Sequence, residues 1–530
     1  MSTLLPDRDS ISQLIEHAQV VIDGALDELA ARGGIDANQT LAYDIAHSAS
    51  SIATARACLA YSARGDDEAR LVVAFLALAL RDLATRILGR EEIWGVASDW
   101  FAPFASFVNR YLDPRSLAEL AESGGARHLG DDFEMVADMF HRFAQEQVRP
   151  HAEHVHRTNG DIPESIIRGL GELGGFGLSV PEEFGGFATG GESEYLGMVV
   201  ATEELSWGSL GIGGSLITRP EILARALLRG GTEEQRRHWL PRLASGEMLA
   251  AVAVTEPDFG SDVAGLTTMA TRTEGGWLIN GTKTWCTFAA RADVLMLLAR
   301  TNPDRTATHR GLSIFLVEKP RGESEGFLFT QDDHTGGRME GRPIDTIGYR
   351  GMHSYELSFD DWFVPDANLI GGDEGLGKGF YYQMAGFENG RIQTAARAVG
   401  VMQAAYEAAL DYARNRLVFG EPIINYELTR VKLATMAVMI QCSRQFALEV
   451  ARLMGRGSGA MEASMAKAYV CRAAEWVTRE ALQIHGGMGY AEEYPVSRYF
   501  VDARVLSIFE GADETLCLKV ITRRLLDDRA

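Results

Sequence analysis

Apolar side chains recur every three to four residues at the start of the chain. Ile11, Leu14, Ile15, Ala18, Val21, Ile22, Leu26 and Leu29 fall on one face of a predicted helix. Gly33-Gly34 closes that helix, and two longer periodic segments follow over about 40–63 and 66–89. The polar, glycine-bearing stretch Ser123–Gly130 reads as a linker, and helical spacing resumes at Asp131. Pro163 stands early in the segment 163–168, where its missing N–H leaves no helical bond unmade.

Between about 249 and 369 the period changes. Short apolar or alternating runs at 249–254, 294–299, 312–317 and 355–359 are separated by turn residues, as strands are. Asn280-Gly281 lies between two strand-like arms and predicts a hairpin turn, since both residues tolerate positive φ. Long helical periodicity returns at Gly379. The pattern thus predicts an α+β, mostly helical protein, with a helical extension over 1–125 and a helical domain over 126–248. A β domain over 249–369 and a helical bundle over 370–530 complete it. Tyr43–Cys58 also faintly echoes Tyr426–Cys442. The extension is either a degenerate copy of the C-terminal bundle or a second set of Ala-rich helices alike only in composition.

Composition narrows the partners. The chain has 530 residues, 51 basic and 73 acidic side chains and a net charge of −22, which argues against nucleic acid and anionic membrane surfaces. A hydrophobic share of 46% with only 15 prolines argues against disorder. The apolar run Leu71–Leu80 falls far short of the roughly 20 residues a membrane span needs. The first residues carry no basic region leading into an apolar run, so a cytoplasmic location is expected. Cys58, Cys286, Cys442, Cys471 and Cys517 are scattered and predict reduced thiols rather than a disulfide or zinc framework. His151, His154 and His156 do not converge on one helical face, and no metal site is expected there.

Two segments carry candidate chemistry. Thr255–Asp262 directly follows the 249–254 strand, and its Thr and Ser hydroxyls and Gly-permitted amides form an edge suited to a polar heterocycle and a phosphate tail. Taken alone, it is also what a well-capped strand–turn looks like. Asn280–Thr287 sets Trp285 and Thr287 two residues apart, on one face of a regular strand.

Together these segments resemble the acyl-CoA dehydrogenase family. The motifs 311–317, Ile347–Met352, Phe363–Ile370, Arg416–Gly420, Gln483–Tyr490 and Ser507–Gly511 follow in the family's order, so the resemblance covers about 131–530. It implies a three-domain core, helical, β-barrel or sandwich, and four-helix bundle, with FAD as cofactor. Val254, Thr255, Gly260 and Ser261 would line the flavin, Ser261 would also reach CoA, Trp285 would cover the ring, and Thr287 would sit near N5. Arg416, Phe419, Gln483, Gly486 and Gly487 would reach the FAD of a neighbouring subunit. A homo-oligomer follows, a dimer being favoured over a tetramer because the extension would occlude one assembly face. Glu388, Arg391 and Gly511 would hold the acyl-CoA.

The resemblance makes Glu510 the catalytic base. Removing a weakly acidic Cα proton from a thioester needs a carboxylate in a dry site, with hydrogen bonds to the developing enolate oxygen. Relatives that place the base on an earlier helix carry it just before the equivalent of Arg391, where this chain has Gly390. Two departures affect FAD contacts: Gly511-Ala512-Asp513-Glu514 replaces Gly-Thr-x-Gln, and Glu427 replaces the usual Gln.

For the acyl group, Thr218-Arg219-Pro220 puts a guanidinium at a usually neutral position of the acyl pocket, suited to a substrate carboxylate, although a surface arginine paired on its own helix fits equally. The stretch Gln331–Pro343, with His334, Arg338 and Arg342, reads as a long loop that either closes over a site or is simply solvated. The implied reaction is α,β-dehydrogenation of a short branched dicarboxylyl-CoA, (2S)-methylsuccinyl-CoA going to mesaconyl-CoA, with electrons passed to an electron-transferring flavoprotein. The alternatives are another short-chain, branched-chain or glutaryl-type dehydrogenase, or an oxidase.

Overall fold

The computed structural model describes residues 5–332 and 336–529. The first helix, α1 (Arg8–Ala31), starts where Asp7 accepts the Ser10 amide at 2.8 Å. It buries Ile11, Ile15, Ala18, Ile22, Leu26 and Leu29, six of the eight predicted positions. Gly33 and Gly34 end it, at φ +94° and +78°.

The next helix, α2 (Gln39–Ala57), is buried almost all round despite its hydroxyls. Ser50, Ser51 and Thr54 return their O–H groups to the carbonyls four residues back, at 2.7, 3.1 and 2.8 Å, so their polarity costs little in a packed interior. This small-residue helix packs on the helices Glu427–Gly455 and Ala460–His485. The Cys58 thiol reaches the Cys442 carbonyl at 3.7 Å, so the two segments that echo each other in sequence meet in space. The predicted linker is irregular, and Gln441 and Gln445 tie down its Ala126 and Arg127 carbonyls at 2.8 and 3.1 Å.

By contact density the chain forms two units, residues 1–135 with 394–530, and residues 136–393. It passes between them twice, within the helices Asp131–Phe143 and Gly379–Asn415. The first unit is helical, apart from a small hairpin of Leu417–Val418 and Glu421–Pro422. The second begins with helices. Pro163 caps the helix Glu164–Glu172 rather than lying inside it, and Thr218–Gly230 and Glu233–Ser245 lead into the sheet.

The sheet has eight strands: β1 (Ala250–Ala253), β2 (Met269–Thr273), β3 (Gly276–Thr287), β4 (Val294–Arg300), β5 (Leu312–Glu318), β6 (Phe327–Thr330), β7 (Arg338–Ile344) and β8 (Ser354–Pro365). Their order is β1-β4-β2-β3-β8-β7-β6, with β5 on β4. β4 reads as an unbroken apolar run because both of its faces are covered. Leu295, Leu297 and Ala299 pack with Trp277, Phe315 and Tyr355. Val294, Met296 and Leu298 pack with Ile222, Leu223, Trp239 and Leu240 of the two preceding helices.

Two predicted loops are corrected. Asn280-Gly281 is not a hairpin turn: β3 runs straight through it, paired with β8, and the β2–β3 turn lies at Gly275, φ +72°. The positive-φ tolerance is spent on a bulge instead. The register shifts between Ile279 and Gly281, Gly281 takes φ +142°, and a Cβ there would meet Thr268 at about 2.7 Å. Asn280 fixes the bulge by exchanging hydrogen bonds with Asp361 at 2.8 and 2.9 Å. Of the long loop 331–343, residues from Arg338 onward are strand β7, paired on both sides, with Met339 and Gly341 turned inward. Arg342 pairs with Glu340 on the surface at 2.8 Å, and His334 lies outside the described residues. No helix among the described residues is long and apolar enough to cross a membrane. All five cysteines are free and buried.

Candidate active site

In the second unit, the loop after β1 is built on a buried ion pair. Val254 is buried, Thr255 half-buried, and Gly260 and Ser261 exposed. Glu256 and Phe259 close the turn with reciprocal backbone bonds of 3.0 and 3.1 Å. Beneath it, the fully buried Lys283 ammonium donates to the Val254 carbonyl at 2.9 Å and to Glu256 at 3.0 Å. Glu256 also accepts from the Thr267 amide and hydroxyl, both at 2.7 Å, and from the Thr268 amide at 2.8 Å. The Thr284 amide bonds the Thr255 carbonyl at 2.8 Å, so loop and strand are stitched together.

Burial alone would raise the Glu256 pKa, but Lys283 and the Thr267 and Thr268 donors outweigh it and hold the carboxyl down to about 2. Burial pulls Lys283 down to about 8, against the attraction of Glu256. The sequence reading missed this pair, whose signal was an acid and a lysine each flanked by threonine. Lys283→Met is expected to lower unfolding stability by about 3 kcal/mol in urea denaturation, because it strands a buried carboxylate. Because the folded Glu256 pKa lies below the ordinary 4.5, its stabilisation is complete above about pH 4.5 and fades as pH falls toward 2. Glu256→Gln should flatten that acid limb in thermal melts.

Trp285 and Thr287 do not share a strand face in the regular sense. The β3 register shifts again between Lys283 and Cys286, and Trp285 takes φ +57° with its indole 56% exposed. Thr287 is buried, its hydroxyl 3.0 Å from that of Ser354. A left-handed backbone under an uncovered indole is costly in isolation, and a flat ring lying over it recovers that cost. An open indole beside an exposed edge of hydroxyls and amides fits FAD.

In the same unit, the helix Thr218–Gly230 carries a buried Arg219 and a half-buried Arg225 with opposite surroundings. Arg225 bonds Glu194 and lies 3.6 Å from Glu221. Glu221 in turn accepts from Ser179 at 3.0 Å and Asn389 at 3.2 Å, and burial raises its pKa against the pull of Arg225. Arg219 is only 6% exposed, yet its one hydrogen bond among the described residues is a long 3.5 Å contact to the Ser215 carbonyl. No carboxylate among the described residues lies within ion-pair distance of it. On the helix Gly379–Asn415, Glu388 is half-buried and Gly390 and Arg391 are buried.

In the first unit, Glu510 sits in the turn after the helix Pro495–Leu506, half-buried, at φ +54°. Its carboxylate makes no hydrogen bond or ion pair with any described residue. Gly511 follows at φ +102°, its carbonyl accepting from Lys467. Phe509 lies under the buried Arg397 guanidinium, 5.1 Å from ring centre. Arg416, Gln483, Gly486 and Gly487 are exposed, and Phe419 is 96% exposed at φ +53°. Glu427 is exposed in the first turn of its helix, where the N-terminal dipole favours an acid.

Three family models match in succession: the acyl-CoA dehydrogenase N-terminal domain over residues 130–247, the middle domain over 251–362 and the C-terminal domain over 377–526. The (2S)-methylsuccinyl-CoA dehydrogenase of Cereibacter sphaeroides is 47% identical over 404 residues, 76% of this chain and 71% of that protein. Among solved structures, a glutaryl-coenzyme A dehydrogenase–glutaryl-CoA complex superposes with a TM-score of 0.69 at 30% identity, over 76% of this chain and 96% of the other. A Mycobacterium smegmatis glutaryl-CoA dehydrogenase in complex with FADH2 gives a TM-score of 0.66 at 26% identity, over 76% and 96%.

Proposed function

The chain belongs to the acyl-CoA dehydrogenase family of FAD-dependent oxidoreductases, and from that premise we propose that it oxidises (2S)-methylsuccinyl-CoA to mesaconyl-CoA, with Glu510 as base. Arg219 carries the substrate reading. A buried guanidinium without a carboxylate of its own is a site awaiting one, and a C4 dicarboxylyl thioester brings a free carboxylate at the end of its acyl chain. The name of the 47% identical relative supports the same substrate.

In this reading the Cα–H bond breaks toward the Glu510 carboxylate, which takes the proton as the carbon–carbon double bond forms. Bound FAD supplies the acceptor for the hydride leaving Cβ. Glu388, Arg391, Gly511 and Ser261 hold the thioester. Val254, Thr255, Gly260, Ser261, Trp285 and Thr287 hold the cofactor. Arg416, Phe419, Gln483, Gly486 and Gly487 reach the cofactor of a second copy, which makes the working form a dimer that passes electrons to an electron-transferring flavoprotein in the cytoplasm. An almost wholly exposed phenyl group at a left-handed residue supports that interface. Phe419→Asp is expected to lower both native mass and bound FAD, measured by light scattering and by absorbance at 450 nm.

The substrate test is a screen of methylsuccinyl-, glutaryl-, isobutyryl- and butyryl-CoA with an artificial acceptor. Methylsuccinyl-CoA is expected to lead by at least about tenfold in kcat/KM, roughly 1.4 kcal/mol. A lead for glutaryl-CoA replaces the substrate, and a lead for either monocarboxylic ester removes the role of Arg219. Anaerobic bleaching of the flavin without peroxide formation in air is the expected mark of a dehydrogenase rather than an oxidase.

A further inference from the structure

The turn bearing Glu510 holds a non-glycine residue in the left-handed region, at φ +54°, a conformation that persists where the surroundings enforce it. Its restraints lie on both sides. Ser507 is bonded to Glu475, Lys467 holds the Gly511 carbonyl, and the Asp513 amide closes the turn onto the Ser507 carbonyl at 3.1 Å. The Asp513 side chain is buried, and two of its partners come from the N-terminal extension, outside all three matched family models. Tyr43 donates its hydroxyl to Asp513 Oδ2 at 2.5 Å, and His47 Nε2 lies 3.0 Å from the same oxygen.

Tyr43 and His47 are one turn apart on α2, so they present a single face to the carboxylate. The Thr522 hydroxyl bonds the Ala42 carbonyl at 2.8 Å and Lys519 pairs with Asp36 at 2.8 Å, extending the seam. Burial opposes ionisation of Asp513, but His47 and Tyr43 outweigh it and keep the carboxyl below the usual range. Burial likewise lowers the His47 pKa against the pull of Asp513.

We propose that α2 is a positioning element for the base: Tyr43 and His47, acting through Asp513, lock the 507–513 turn and so fix the direction of the Glu510 carboxylate. The proposal rests on Glu510 being the base, and it gives the extension a role in the reaction without contact with substrate. His47, Asp513 and Cys517 also present donor atoms within 4.8 Å of one another, a set that could take a metal ion. Two hydrogen bonds converging on one carboxylate oxygen favour a clamp over a metal centre.

The test uses full-length Tyr43→Phe, His47→Ala and His47→Ala/Asp513→Asn holoenzymes, with Glu510→Gln alongside. Backbone amides of residues 508–513 are expected to exchange about tenfold faster in the first two. Anaerobic flavin reduction by methylsuccinyl-CoA or butyryl-CoA should slow about tenfold, while FAD content and KM hold, and the double variant should be little worse than His47→Ala. Tyr43→Phe removes a single oxygen and keeps the test open if His47→Ala fails to fold. Unchanged exchange overturns the proposal, as does faster exchange with an unchanged reduction rate. One tightly bound metal per chain, lost in His47→Ala, replaces the clamp with a metal centre. If Glu510→Gln still reduces its flavin at the wild-type rate, the base reading fails and takes the clamp with it. If Glu510→Gln is inactive while the clamp variants reduce normally, the clamp alone fails.

Discussion

Glu510→Gln is expected to keep its yellow colour and its affinity for CoA thioesters while flavin reduction slows by about 10²–10⁴-fold, the range a positioned general base supplies. The amide is nearly isosteric with the carboxylate and preserves packing in the turn, but it cannot accept the Cα proton. No hydrogen bond ties the Glu510 carboxylate to any described residue, so the substitution breaks no structural network and the loss reads as chemistry. Stopped-flow reduction with substrate labelled at Cα makes the point sharply. The wild type should show a deuterium isotope effect on reduction, and the residual rate of the variant should show how much proton transfer survives. A variant that still turns over at full rate removes the base.

Arg219→Ala should lower kcat/KM for methylsuccinyl-CoA by about 2–5 kcal/mol, the cost of truncating one partner of a desolvated charge pair, or roughly 30- to 4,000-fold. Butyryl-CoA has no distal carboxylate and should lose far less. The contrast with Arg225 explains the expected selectivity. Removing Arg225 strands Glu221 and Glu194 in the protein itself, whereas removing Arg219 strands no carboxylate among the described residues. Arg219→Ala should therefore fold normally and discriminate only between thioesters. Equal losses for the two esters would defeat the carboxylate role.

Much of this architecture was legible in the sequence, for reasons that differ by region. α1 shows itself because one face meets water, so its period survives; β4 and β5 show as apolar runs because both of their faces are covered. Asn280-Gly281 misled because positive φ serves a bulge as readily as a turn, and only the pairing of β3 with β8 tells the two apart. The relation of Trp285 to Thr287 failed for the same reason, since a left-handed residue interrupts the two-residue alternation. For the site, Glu510 and Arg219 were marked by the family resemblance, since an isolated Glu or Arg is by itself most often a surface group. The Glu256–Lys283 pair and the Tyr43–His47–Asp513 cluster went unmarked, because pairing between residues 27 and 466 positions apart leaves no local pattern.

That last separation bears on how the protein is made. α2 finds part of its cover in helices that the ribosome completes long afterwards: Cys58 meets Cys442 across 384 residues. At 5–20 residues per second, the interval is roughly 20–80 s. Throughout it, α2 has the early helices Arg8–Ala31 and Asp66–Ile87 to pack on, but the face meant for the two later helices stays uncovered. That face is thus open to aggregation and chaperone capture until residues 427–485 have emerged to cover it.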